Sequence, residues 1–380
     1  MKHAKKILLY TLFAVLFMPM LQKAFTLFKT ETLHGEYTLA ADVDFSWRDW
    51  FSGNYWINKS AYINDQVGFR PDLVRINNQY NYSLYHKLYS KWGIANKDHC
   101  LMQLMYIMAY NGEDYVGYPE IHEKVRKLRA IQDTLARLGK SLILVQAPCK
   151  AFYFPECIPD KYRVNPRGAT NFETYARLAD STGLNQVNFN SWFVSMKQRY
   201  GDTIYTRTGL HWSVYGAMLG GDSIIRYIER LRHIRMIHPY WSKVEHTTVP
   251  RHSDDDIARA LNLAIPFYKE TYSYPVITYP PDKTAARPNM IFIGDSFLFQ
   301  WMDQRLMDNT SSNWQIWYYF NTIYTRKYLS GAPQDVIEKY DWVGELNKAD
   351  CIMILYTSHN LKKLGNGFIE QAYDHFYPQK

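Results

Sequence analysis

The chain is poor in cysteine, and that scarcity removes several functions at once. Its four cysteines, Cys100, Cys149, Cys157 and Cys351, form no Cys-x-x-Cys pair and have no histidine at metal-ligand spacing. No zinc site, other metal site or cofactor is therefore expected. Cys149 and Cys157 flank one short loop and are the only pair considered for a disulfide, the alternative being two independent thiols. Basic residues outnumber acidic ones, for a formal charge of +8. No arginine-rich run or nucleic-acid motif gathers that charge, which argues against a nucleic-acid partner. An anionic lipid surface or an acidic polysaccharide would suit the excess. The chain also lacks internal repeats, low-complexity tracts and a small-residue cleavage site behind its first apolar run.

What is present begins with that run. Lys2, His3, Lys5 and Lys6 precede an uncharged stretch from Ile7 to Leu21, which extends to Leu27 at near-spanning length. Basic residues ahead of an apolar segment put the N-terminus in the cytoplasm and the remainder outside. Residues 1–28 are read as an uncleaved single-pass anchor in a bacterial inner membrane. Residues 29–90 are read as a linker and a helical N-terminal region, and 91–380 as the main, periplasmic domain. Aromatic residues make up 16% of the chain, with 32 Tyr and 11 Trp, and rings with a polar tip suit wet, sugar-binding surfaces. Phe69, Leu73, Ile76, Tyr80 and Leu84 recur at threes and fours, so at least one amphipathic helix lies here, expected to pack on the domain after it.

The main domain alternates helix and strand. Ile121, Val125, Leu128, Ile131, Leu135 and Leu138 trace a helical stripe stopped at Gly139. Ser141–Gln146 is an apolar run of strand length, of the kind covered on both faces by helices. Further strands are expected at Gln186–Phe189, Asn289–Ile293, Gln315–Phe320 and Cys351–Leu355. Helices are expected near Thr170–Ser181, Val214–Leu231 and Pro333–Lys348. This rhythm predicts an α/β three-layer fold with a mostly parallel sheet. The stretch Pro239–Pro288 breaks it and is read as an insertion near the mouth of the site.

The sharpest local signal is Ile291-Phe-Ile-Gly294-Asp295-Ser296-Phe297, an apolar strand ending in Gly-Asp-Ser and followed at once by a helical pattern. Ligands bind beyond the carboxyl ends of parallel strands. Ser296 is therefore the candidate nucleophile, with Asp295 and Gly294 supporting it and its oxyanion site. The bland alternative is that Asp295 and Ser296 only cap a helix. The same tripeptide at Gly221-Asp222-Ser223 sits inside a helical stripe and is read as coincidence. The candidate base is His211, in Thr208-Gly-Leu-His211-Trp212-Ser213, at a junction of loop and helix.

Histidine motif first, then strand-Gly-Asp-Ser-Phe, resembles the alginate O-acetyltransferase (AlgJ/AlgX-like) group of SGNH-type enzymes. Other segments match in order: Trp50-Phe-Ser-Gly-Asn-Tyr, Asp65-Gln-Val-Gly-Phe-Arg70, Pro148-Cys-Lys150 with Phe154-Pro-Glu-Cys-Ile-Pro159, Asp255-Asp256-Ile-Ala258, and Tyr356-Thr357-Ser-His-Asn360. The resemblance implies transfer of acetyl groups through a Ser296 acyl-enzyme onto an exported polysaccharide. It also implies an MBOAT-type membrane acyltransferase as donor partner, and substrate contacts from Trp212, Tyr356, Thr357 and Asn360. The alternatives are an esterase acting on a glycan, and a non-catalytic glycan-binding or assembly protein. One position departs from the pattern. The family's Asp-x-His-Trp places an aspartate where this chain has Gly209. Asp202, Asp254, Asp255 and Asp256 are the candidate substitutes, the alternatives being a Ser-His dyad or lost catalysis. Glycine at 209 is expected to leave room for a carboxylate, so that Gly209→Asp would preserve or raise activity.

Overall fold

The computed structural model describes every residue except 1, 36–37, 91–92, 198, 200, 267–268, 331–333 and 379–380. Residue 91, the expected start of the main domain, and Pro333, the expected start of a helix, lie outside the described residues. The chain divides into two units, one of Met1–Lys91 with Asp256–Phe267 and one of Trp92–Asp255 with Tyr268–Lys380.

The first unit is helical. Its helix Lys2–Phe25 is long and apolar enough, by length and composition, to cross a membrane. Shorter helices follow at Trp47–Ser52, Asn54–Gln66 and Arg70–Tyr85, and a five-residue helix, Asp256–Ala260, joins them from far along the sequence.

The second unit carries the strands. A small antiparallel pair, β1 (Ile94–Lys97) and β2 (Cys100–Gln103), precedes the main sheet. That sheet has seven strands: β3 (Ser141–Gln146), β4 (Gln186–Asn188), β7 (Met290–Gly294), β8 (Trp314–Tyr318), β9 (Thr322–Thr325), β10 (Asp335–Val336) and β11 (Cys351–Tyr356). The remaining two, β5 (Val244–Thr247) and β6 (Tyr272–Pro275), pair antiparallel within the expected insertion. The main sheet runs in the order β10-β9-β8-β7-β11-β3-β4. From β8 to β4 every pairing is parallel, while β9 and β10 add an antiparallel edge.

Alternation along the central strands builds the two cores. Ile143, Val145, Met290 and Phe292 face one layer, and Leu142, Leu144, Ile291 and Ile293 the other. The helices Tyr118–Arg137 and Phe368–Phe376 contribute buried residues to the second layer, and Val214–Arg232 to the first. Both faces are covered, which is why the central strands read as uninterrupted apolar runs.

One expectation needs correction, and one open alternative is decided. The segment expected as one helix up to Lys348 holds β10 and a short 3-10 turn before a helix confined to Trp342–Lys348. Hydrogen bonds to the edge strand β9 pull Asp335–Val336 into the sheet, which helical spacing alone did not reveal. All four cysteines are buried free thiols, so Cys149 and Cys157 are not bridged. The Cys157 sulfur instead lies 3.8 Å from the Arg207 guanidinium, and burial pushes Cys149 up to about 11.

Candidate active site

The turn after β7 is built by close approach and by a buried carboxylate. A side chain at Gly294 would run into the Leu355 carbonyl of the neighbouring β11. Only glycine lets these strands pair to their ends. Asp295 is buried and saturated with donors. One oxygen accepts from the Phe297 N–H at 3.2 Å. The other accepts from the Thr357 N–H at 2.8 Å, the Thr357 hydroxyl at 2.9 Å and the Asn360 amide at 2.8 Å. Burial raises the Asp295 carboxyl above its ordinary range, and these donors oppose the rise. Asp295 thus joins the turn after β7 to the loop after β11 and holds the next residue at the sheet's carboxyl edge.

That residue is Ser296, and its Oγ lies 2.8 Å from Nε2 of His211. Both are partly exposed, and the imidazole packs 4.8 Å from the Phe297 ring centroid. Among the described residues no acceptor takes the Ser296 N–H, whereas the Phe297 and Leu298 N–H groups both bond Asp295. Ser223 lies within the helix Val214–Arg232.

The loop carrying His211 is fixed from beneath by a buried cation. Lys150 is fully buried, and its Nζ donates to the Arg207 carbonyl at 2.8 Å and the Gly209 carbonyl at 2.5 Å. Glu270 accepts from the Arg207 N–H at 2.8 Å, and the Thr208 hydroxyl is 3.0 Å from its other oxygen. Tyr205 donates to the Leu210 carbonyl at 2.6 Å, and Leu101 N–H to the Arg207 carbonyl at 2.8 Å. Lys150→Met strands the Gly209 carbonyl, while the Arg207 carbonyl keeps its Leu101 donor, and leaves Glu270 without the nearby cation. It is expected to cost about 2–4 kcal/mol, read as a lower urea midpoint. An unchanged midpoint would show that the clamp contributes nothing.

Gly209 does not leave room for a side chain. A Cβ there would lie 2.6 Å from the Asp254 carbonyl oxygen and 2.6 Å from the Thr206 hydroxyl. The room for a carboxylate expected at 209 is therefore absent, because backbone already occupies the space.

Of the carboxylates considered as substitutes, Asp202 pairs with His246 at 2.7 Å on the surface. Asp255 is buried, and Asp256 belongs to the other unit. Asp254 is fully buried; its carboxylate accepts from the Val214 N–H at 3.2 Å, three residues beyond His211, and its carbonyl is 3.1 Å from the Thr208 hydroxyl. Asp303 was missed by sequence reasoning. Its side chain is exposed at the surface; partial desolvation raises its carboxyl, and interactions with His252 and then His211 oppose that rise. Its position seven residues past Ser296, at the end of the helix Leu298–Asp303, was the available signal.

Three expected substrate contacts are corrected. Trp212 is fully buried, with its indole N–H 3.3 Å from the Phe297 carbonyl. Tyr356 is buried, and its hydroxyl bonds Asn366 at 2.8 Å; Thr357 is buried against Asp295. Each builds the site from behind, because the apolar and hydrogen-bonding partners they satisfy are internal. Asn360 is only partly buried, but its amide is engaged by Asp295 and lies 3.2 Å from the Tyr319 hydroxyl.

His359 sits in the same loop, its ring 4.6 Å from Tyr106, and burial, then Lys362, depresses it to about 4. Because its folded pKa lies below the ordinary value, its share of stability is complete above about pH 6.5 and is lost as pH falls toward 4. His359→Asn is expected to remove on the order of 1–3 kcal/mol of acid destabilisation in that window. Urea melts at pH 7 and pH 4.5 would show it. An identical pH slope in the variant would refute the assignment.

A serine at the carboxyl end of a central parallel strand, hydrogen-bonded to a histidine from another loop, defines the chain as an SGNH-type α/β protein. The family described as SGNH hydrolase-like domain, acetyltransferase AlgX, matches residues 110–301, and the chain belongs to it. No curated protein sequence matches the chain. Among solved structures it is similar to the O-acetyltransferase domain of Pseudomonas putida AlgJ, at 13% identity and TM-score 0.46, over 74% of this chain and 99% of that one. It is also similar to Pseudomonas aeruginosa AlgX, at 11% identity and TM-score 0.46, over 77% and 70%. A third is Bacillus cereus PatB1, at 13% identity and TM-score 0.42, over 70% and 96%.

Proposed function

We propose that this acetyltransferase moves an acetyl group through a Ser296 acyl-enzyme onto hydroxyls of an exported polysaccharide. The observation that carries the reading is the 2.8 Å contact between His211 Nε2 and Ser296 Oγ. In the first half-reaction His211 takes the Ser296 proton as Oγ attacks the acetyl carbonyl, and returns a proton to the leaving group. The Ser296 N–H is available to the oxyanion. In the second, His211 deprotonates a sugar hydroxyl, which attacks the acyl-enzyme and regenerates free Ser296. Asp254 and Asp303 supply the negative charge near the imidazolium that an aspartate at 209 would have supplied. Residues 1–28 anchor the chain in the inner membrane with the second unit in the periplasm, and an MBOAT-type acyltransferase delivers the acetyl group.

The test is acetyl transfer from an activated acetyl ester to an oligosaccharide, followed by mass spectrometry of acceptor and free acetate. Acetylated acceptor that depends on His211 is the expected result. Acetate release without transfer would replace the reading with an esterase. Neither product would replace it with a glycan-binding role.

A further inference from the structure

The first unit contains an amphipathic helix turned inside out. Along Arg70–Tyr85 the apolar residues Leu73, Ile76, Tyr80 and Leu84 form one stripe, and each is between 49% and 59% exposed. The polar side of the same helix is the engaged one. Arg75 donates to the carbonyls of Glu31 and Thr32, at 2.9 and 2.8 Å, and Asn78 to that of Leu261 at 2.9 Å. Gln79 accepts from the Ile265 N–H at 3.0 Å. In water an amphipathic helix buries its apolar stripe, so this arrangement requires an apolar medium outside. The neighbouring helix Asn54–Gln66 likewise has no buried residue and presents Trp56 and Ile57, at 51% and 69% exposure.

The turn between these helices identifies that medium. A side chain at Gly68 would strike the Pro19 carbonyl and the backbone of Lys23, so the turn rests directly on the last turns of Lys2–Phe25. Lys23 hydrogen-bonds Gln66, and the Phe28 and Phe69 rings lie 5.9 Å apart. The 23 residues His3–Phe25 extend for about 34 Å, enough to cross a hydrocarbon core of about 30 Å. A turn packed on the exit end of such a helix stands at headgroup depth, where amphipathic helices rich in Trp and Tyr reside.

We propose that Asn54–Gln66 and Arg70–Tyr85 form a second membrane contact, lying in the lipid headgroup region with their apolar side chains turned to the acyl chains. This rests on the reading of Lys2–Phe25 as the anchor. The test uses the full chain in phosphatidylethanolamine–phosphatidylglycerol vesicles, with nitroxide labels on single-site variants Ile57→Cys and Ile76→Cys. Leu12→Cys serves as the lipid reference and His122→Cys, on an exposed surface, as the aqueous one. The native thiols are all buried, which directs the label to the new site. Relaxation by oxygen relative to a water-soluble nickel chelate is expected to be several-fold higher at 57 and 76 than at 122. Nickel access at 57 and 76 equal to that at 122, with 12 still in lipid, overturns the proposal and leaves the anchor standing. Protection of 57 and 76 from both reagents overturns it in favour of a covering protein. Nickel access at 12 as well removes the anchor along with it.

Discussion

Ser296→Ala is expected to lower acetyl transfer by on the order of 10⁴-fold or more, and His211→Ala to match it. The two act as one unit across 2.8 Å, so the double variant should be no worse than either single one. Stability should barely change, since Ser296 is partly exposed and its hydroxyl's described partner is His211. A serine-directed phosphonate should label Ser296 and spare Ser223, which is held within a continuous helix. Labelling that survives Ser296→Ala, or transfer that does, would take Ser296 out of the mechanism.

Gly209→Asp carries the second large effect, and its direction opposes what the family pattern suggests. The new Cβ would meet the Asp254 carbonyl oxygen at 2.6 Å, and backbone cannot swing aside as a flexible side chain can. Residue 209 is also fastened, through its carbonyl to Lys150 and through its N–H to the Thr206 hydroxyl at 2.9 Å. Overpacking a buried, fastened position costs about 1–3 kcal/mol, and burying a carboxylate there adds to the cost. The variant is expected to show a lower urea midpoint and a loss of transfer. Gly209→Ala, which adds only the methyl group, should be intermediate in midpoint. That ordering separates steric exclusion from a charge effect. A stable, more active Gly209→Asp would mean that the 206–209 loop and the Asp254 segment part readily, and that the family's aspartate can be restored.

Much of the fold was legible because its signals are local. Strands buried on both faces read as uninterrupted apolar runs, and Ile121, Val125, Leu128, Ile131 and Leu135 each lie at full burial where the helical spacing put them. The turn after β7 was legible for the same reason, since strand, glycine and helix are consecutive. The antiparallel edge was not. Thr322–Thr325 and Asp335–Val336 are short, and their strand character comes from pairing with each other and with β8. The roles of Trp212, Tyr356 and Thr357 were misread for a related reason, because motif position reports nearness to a site and does not report which side of it a residue occupies.

The sequence by itself determined the alternation of helix and strand, the apolar N-terminal segment, and the pairing of a histidine motif with a strand-Gly-Asp-Ser turn. All of these rest on neighbours along the chain. Only the tertiary structure decided that Lys150 and Glu270 brace the His211 loop, that Gly209 is packed against Asp254, and that Arg70–Tyr85 shows its apolar stripe outward. The residues in these contacts lie between 43 and 186 positions apart along the chain where they are hydrogen-bonded or packed. Burial and steric exclusion depend on which distant segment fills a given space, and no local spacing encodes that.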